Sequence, residues 1–147
     1  MYKVKRNSDG SIARFKARFV AKGYLQQYSL DYAETFSPVV KPTIVRIILA
    51  LAIQFGSSLR QLDVSNAFLH GVLQGEVYMS QPLGYQDHSK TYHVCLLLKA
   101  IYGLKQAPRA WFDSFTTQLF HLGFHASYVD NNLFILIHSR HVVYLLL

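Results

Sequence analysis

Apolar and polar residues alternate at almost every step near the start of the chain. In YKVKR (2–6) and SIARFKARFVA (11–21) this period of two is the signature of strands with two unlike faces. The NSDG between them carries Asp-Gly, a strong turn signal, so the pattern predicts a β-hairpin. Arg14, Lys16 and Arg18 are expected on one face, with Phe15, Ala17 and Phe19 packed beneath. After a loop through FSPVVKP the period changes. Pro42 suits a first helical position, and the apolar positions to about Phe55 lie nearly all round a helix, which predicts a buried one ended by Gly56, Ser57 and Ser58. LRQLDV (59–64) reads as a short strand running into a quick SNAFLHG turn. EVYMSQPLGY reads as a short strand before a Pro-Gly turn, and TYHVCLLL, apolar from Val94 to Leu98, as a central strand covered on both faces. Residues 109–122 return to helical spacing, with Trp111, Phe115, Leu119 and Leu122 on one stripe and Gly123 as C-cap. LFILIH and HVVYLLL close the chain as strands around Ser139-Arg140. The order β-β-α-β-β-β-α-β-β indicates an α+β or mixed α/β fold rather than a bundle or sandwich.

Composition narrows the classes. The chain has 147 residues, 51% of them hydrophobic, with four Pro and eight Gly, which suits one globular domain or a piece of a larger one and excludes disordered, collagen-like and linker-like chains. Its most apolar stretch, IVRIILALAI, is too short to span a bilayer, and MYKVKRNSDG lacks the apolar stretch of a signal peptide, so a soluble protein without a membrane partner is expected. Cys95 has no second cysteine to pair with and reads as a core residue. HVVYLLL ends within an apolar run, which reads as a truncation.

Charge changes the picture more. Six of the seven net positive charges fall in residues 1–22, where Lys3, Lys5, Arg6, Arg14, Lys16, Arg18 and Lys22 face only Asp9. A strand with three cations along one face suits phosphates, because each neutralised phosphate releases counterions; nucleic acid or nucleotide phosphate is the expected partner. Other chemistry is poorly represented. His121 and His125 stand four apart without a third ligand at sensible spacing and read as surface or partly buried histidines. Asp31 and Glu34 read as loop and capping acids. No Gly-rich phosphate loop and no nucleophile with a base is present.

RFKARFVAKGYLQQYSLDYAETFSPVVKPTIVRIILALA, QLDVSNAFLHG, EVYMSQPLGY and AIYGLKQAPRAWF follow one another in this order. Together they closely resemble the reverse transcriptase of copia-type LTR retrotransposons, from residue 1 to the last. The resemblance implies an α+β polymerase fingers-palm fold with a mixed, mostly antiparallel sheet and packed helices. It would be a single partial domain over 1–147, with a fingers-like basic hairpin and loop at 1–40 and a palm-like part with interleaved fingers elements at 41–147. The implied activity is RNA-directed DNA synthesis: deoxynucleotides are added to a primer by in-line displacement, with two Mg²⁺ about 3.5–4 Å apart at the reacting oxygens. Hard cations take carboxylate oxygens, and Asp63, at the end of the expected QLDV strand, would be the catalytic metal ligand, helped by the Val64 carbonyl. Taken alone, such an Asp reads as a helix N-cap. Phe68 would be the aromatic gate that rejects a 2′ hydroxyl by shape, with Ala67 allowing close backbone approach. Tyr102 and Gly103 would lie against the base and template, Lys105 reading equally as a solvated charge. Lys16 and Arg18, ahead of Arg14, would hold the triphosphate of the incoming nucleotide.

A polymerase of this kind also needs two adjacent aspartates in a hairpin turn. YVDN at 128–131 is not that pair, because the order of blocks places SYVDNNLFI at a strand opening; the aspartates would follow HVVYLLL, so the chain is expected to be truncated before that hairpin. If Asp130 were a second ligand, Asn131 would be a weak neutral substitute. One carboxylate cannot hold two ions, so low or absent activity is expected of the isolated chain, with LFILIH and HVVYLLL leaving an exposed apolar edge that favours aggregation. Partners would be an RNA or DNA template-primer and deoxynucleoside triphosphates, in cytoplasmic retrotransposon particles or the nucleus. The rival reading is a non-catalytic remnant that acts at most as a basic nucleic-acid-binding module. LDYAETFSP marks the family, but no chemical role follows from its residues.

Overall fold

A computed structural model describes residues 2–37, 39–139 and 141–147. Pro38 of the expected loop and Arg140 of the expected turn lie outside the described residues. In chain order the elements are β1 (Tyr2–Arg6), β2 (Ile12–Ala17), α1 (Pro42–Gln54), β3 (Tyr78–Ser80), β4 (Val94–Leu96), α2 (Ala107–His121), β5 (His125–Ala126), β6 (Leu133–His138) and β7 (His141–Leu146). Helices and short antiparallel sheets mix as expected of an α+β chain. The chain divides into two compact units, Met1–Thr35 with Asn66–Trp111, and Phe36–Ser65 with Phe112–Leu147.

In the first unit β1 and β2 form the expected hairpin. Lys3 stands opposite Lys16, Val4 opposite Phe15 and Lys5 opposite Arg14, and a bulge at Ala13 brings Arg6 opposite Ile12. The turn is tied by Asp9, whose carboxylate accepts the Ser11 N–H at 2.9 Å and the Ser11 hydroxyl at 2.6 Å. These bonds, the hydroxyl foremost, hold the Asp9 carboxyl below its ordinary value. The alternation is therefore real, but the expected packing is not: Phe15 is 77% exposed, and Ala17 and Phe19 are exposed too. Among the described residues β1 and β2 pair only with each other, and the ribbon leaves residues of both faces exposed.

β3 and β4 pair antiparallel, and the pairing runs on irregularly through Leu97 N–H to the Val77 carbonyl at 2.8 Å and Ala100 N–H to the Gly71 carbonyl at 2.8 Å. β4 is not the doubly covered strand expected of VCLLL. It has one partner, Val94 and Leu96 are exposed, and Cys95 is only half-buried. The core of this unit is built from small residues: Ala100, Leu104, Ala107 and Ala110, with Phe68, Leu73, Val77, Leu97 and Ile101 packed against them. Small side chains let backbones close up, and a Cβ on Gly71 would meet the Trp111 nitrogen at 2.7 Å.

In the second unit Pro42 opens α1 as predicted. The helix ends in a Schellman arrangement, with Gly56 at φ 60°, its N–H on the Ile53 carbonyl and the Ser57 N–H on the Ala52 carbonyl. α1 is not buried all round: Ile44 and Ala52 are covered, while Ile53 is 80% exposed and Ile47 and Leu49 are exposed as well. α2 ends the same way at Gly123 (φ 91°), as expected, with Phe124 N–H on the Leu119 carbonyl. Of the expected stripe Leu119 is buried and Leu122 is exposed, because Leu122 already lies beyond the helix. β6 pairs with β7 as predicted and, on its other edge, with the unpredicted β5. Phe134 of β6 is 1% exposed, and its ring lies 6.0 Å from that of Phe120. Residues 59–64 form no strand, contrary to expectation. A strand-like sequence states only a preference for pairing, and among the described residues no neighbouring strand takes up the backbone of this segment.

Candidate nucleotide site

Tyr102 is the node of the first unit. The Ala21 N–H donates to its carbonyl at 2.7 Å, and Val20 forms a parallel bridge with it, so the chain leaving β2 lies along the turn before α2. Gly103 follows at φ 91°, and a Cβ there would run into the Ala21 carbonyl oxygen and the Val20 side chain. Gly23 is pressed in the same way against the Gly103 carbonyl. Only glycine combines this left-handed conformation with so close an approach.

The backbone contact aims three side chains. The Arg18 guanidinium lies 5.1 Å from the centre of the Tyr102 ring, within cation–π range. On Tyr102 the Phe68 ring packs edge to face, with centroids 5.5 Å apart and planes at 70°. Phe68 and half-buried Ala67 belong to a 3-10 turn, Ala67–His70, entered through left-handed Asn66 at φ 54°. Arg18, Phe68, Tyr102 and Gly103, chosen from the sequence, are thus brought together. Phe68 is also packed on the alanine core, so it has a structural role as well.

Lys16 stands on β2 among cations. Arg18 foremost, then partial desolvation, Arg14, Lys5 and Lys3 hold its amine below the ordinary lysine value. The hairpin face formed by Lys3, Lys5, Arg14 and Lys16 therefore opposes like charge to like charge across the ribbon, which disfavours the free ribbon and favours an anion upon it.

Asp63 and Val64 belong to the second unit and are exposed, in a stretch without regular structure. Their carboxylate and carbonyl are hard oxygen donors and fit a divalent ion such as Mg²⁺ in kind; by themselves they are too few for two ions. Asp130 is otherwise engaged. It is 6% exposed, and its carboxylate accepts the Asn132 N–H at 2.9 Å and the Lys41 N–H at 3.2 Å. The Asn132 bond foremost holds its carboxyl below the ordinary value, against the effect of burial, with the Lys41 bond adding to it. Among the described residues no group of three or more His, Cys, Asp or Glu is gathered to hold a metal.

Asp31 and Glu34 are loop acids as expected. Asp31 accepts the Gln27 N–H at 2.6 Å, and Glu34 makes an exposed ion pair with Arg109 at 3.5 Å. Sequence reasoning missed Gly23 and the half-buried pair Gln26–Gln106, joined at 3.1 Å. The glycine of AKGY was a usable signal; two glutamines 80 positions apart carry none. No helix among the described residues is long and apolar enough to cross a membrane.

A family model described as "Reverse transcriptase (RNA-dependent DNA polymerase)" matches residues 1–145. The chain belongs to that family. Within it, the chain resembles copia-type Pol polyproteins. It is 55% identical over 146 residues to the Retrovirus-related Pol polyprotein from transposon RE2 of Arabidopsis thaliana and 53% identical over 146 residues to that from transposon RE1 of the same plant, covering 99% of this chain and 10% of each relative. It is 50% identical over 118 residues to the Retrovirus-related Pol polyprotein from transposon TNT 1-94 of Nicotiana tabacum, covering 78% of this chain and 9% of the relative. The chain thus spans about a tenth of the length of these relatives. No solved structure matches it.

Proposed function

We propose that this chain is a fingers-and-palm piece of a copia-type RNA-directed DNA polymerase, and that its first unit receives the incoming deoxynucleoside triphosphate beside a template-primer. The observation that carries the reading is the Arg18–Tyr102–Phe68 group set on the Gly103 turn. Arg18 offers a bidentate fork and Lys16 a point charge to the triphosphate. Tyr102 and Gly103 would lie against the base and template, and Phe68, beside Ala67 in the 3-10 turn, would leave a 2′ hydroxyl no partner. Asp63 and the Val64 carbonyl would hold Mg²⁺, which when bound neutralises charge developing on the phosphate oxygens. In this reading the isolated chain binds but does not polymerise, since Asp130 is already committed to two backbone amides. A retrotransposon particle or the nucleus is the setting such a polymerase would work in.

The like-charge register Lys3–Lys16 and Lys5–Arg14 favours a second reading, a non-catalytic remnant that only binds nucleic acid. Primer extension on poly(rA) with dTTP and Mg²⁺, run with the chain and with Asp63→Asn, separates the possibilities when binding is measured alongside. The expected result is no incorporation by either, salt-sensitive binding of primer-template, and dTTP binding that weakens in Arg18→Ala. Binding of primer-template without any dTTP binding would favour the remnant. Incorporation lost in Asp63→Asn would mean that the chain's own residues complete the metal site. Failure to bind primer-template at low salt would overturn both readings.

A further inference from the structure

The stretch from Gly23 to Glu34 has no role in the nucleotide reading, and its burial is inverted. Tyr24, Leu25, Tyr28 and Leu30 face solvent while Gln26 is half-buried among them. An apolar driving force would give the reverse. What holds the segment is the Gln26 amide, engaged on both sides. Its Oε1 accepts the Lys105 N–H at 2.8 Å, and its Nε2 donates to Gln106 Oε1 at 3.1 Å. Gln106 Nε2 then donates to the Asp31 carbonyl at 3.2 Å, and Arg109 reaches Glu34 at 3.5 Å.

One run of chain, residues 20–26, therefore grips the turn 102–106 at both ends. Main chain holds Tyr102 through Ala21, and a side-chain amide holds Lys105. Gly103, closely packed against Ala21 and Gly23, lies between the two grips. Releasing the Lys105 end would leave the turn held from the Tyr102 end alone, and a shift of its backbone would carry the Tyr102 ring that lies against Arg18 and Phe68.

We propose that Gln26 is a positioning residue: by holding the 105–106 end of the turn it fixes the Tyr102 ring in the nucleotide site. The proposal rests on the nucleotide reading given above for its functional meaning, and on the hydrogen bonds alone for its structural one.

The test uses the 147-residue chain. Gln26→Met keeps the length of the side chain and removes both bonds. Gln26→Glu keeps the acceptor for the Lys105 N–H and offers its second oxygen to a turned Gln106 amide. Two quantities are read: the Tyr102 ring signal in a tyrosine-labelled NMR spectrum, assigned with Tyr102→Phe, and dTTP binding on poly(rA)–oligo(dT) with Mg²⁺. Gln26→Met is expected to move the Tyr102 signal and weaken dTTP binding by about tenfold, with affinity for the primer-template itself unchanged. Gln26→Glu is expected to restore both. An unmoved Tyr102 signal in Gln26→Met overturns the proposal, and so does a change that Gln26→Glu fails to restore, since packing would then be the cause. Should Gln26→Met not fold, Gln106→Ala decides, because it removes half of the grip: a smaller movement of the Tyr102 signal supports the proposal, and none overturns it. A chain that binds no dTTP, yet shows the Tyr102 signal moving and returning, would sink the nucleotide reading and leave the positioning role standing.

Discussion

In the first unit backbone presses on backbone. Gly23 meets Gly103, Gly103 meets Ala21, Gly71 meets Ala110 and Trp111, and the buried residues are mostly alanines. In the second unit a large side chain fills the space instead. Phe134 is wholly enclosed in a strand paired on both edges, and a carboxylate, Asp130, holds a remote backbone amide. The first arrangement leaves no room for a side chain to adjust and fixes main-chain positions closely; the second buries more apolar area per residue and tolerates local relaxation. A site that must place a ring and a guanidinium to within a fraction of an ångström is better served by the first.

The largest effect is expected at the enclosed ring. Phe134→Ala is expected to cost about 4 kcal/mol, because it empties the space the ring fills, and to abolish hydrogen-exchange protection at the Ile135 amide in β6 while the Leu97 and Ala100 amides keep theirs. Loss at all of these amides together would show that the units do not unfold separately. Gly103→Ala is expected to cost about 3 kcal/mol, from a left-handed conformation and the collision with Ala21. Urea unfolding and exchange at Leu97 and Ala100 would reveal it, and protection retained at those amides would show that the tight approach relaxes after all.

Asp130 separates the two units by pH. Its folded pKa lies below the unfolded 3.8, so its contribution is fully present above that value and is lost as the pH falls through the lower folded one. Asp130→Asn is therefore expected to lower stability by about 2 kcal/mol at pH 7, to differ less from the parent chain at pH 2, and to leave the Arg18–Tyr102 group unaffected. An equal loss at both pH values would assign the effect to shape rather than to charge.

How much of the fold was legible in the sequence depended on how local each signal was. Asp-Gly between alternating runs, Pro42 at a helix start, and Gly56 and Gly123 at helix ends each act within a few residues, and each was legible. Burial was not legible in the same way. Ile47, Ile53, Phe15 and Val94 express a preference that only a partner surface can satisfy, and sequence hydropathy does not name the partner. The strand expected at 59–64 failed for the same reason, since half of every strand is its neighbour. In the candidate site, Arg18, Phe68, Tyr102 and Gly103 were found through the family's motifs, and alternation alone had already placed Arg14, Lys16 and Arg18 on one face without choosing among them. Gln26 and Gln106 were invisible because a hydrogen bond between positions so far apart leaves no periodicity. Asp130 carries a local sign that neither the strand opening nor the second-ligand reading uses: an Asp whose carboxylate takes the N–H two residues on is an Asx turn.

The bulge at Ala13 and the turn tied by Asp9 settle which residues of the ribbon face each other. Because side chains switch sides at every position, deleting one residue anywhere from Asn7 to Ser11 would slide β2 by one step, unless the bulge closed to absorb it. Lysines of one strand would then look across at aromatic rings of the other, and each surface would become a patchwork. No charge would be lost, and the isoelectric point would hardly change. What would vanish is handedness of purpose: a ribbon with a wet, cationic side and an aromatic side would become one with two indistinguishable sides, so a single-codon deletion in this loop is far more disruptive than the substitution of any one of its cations.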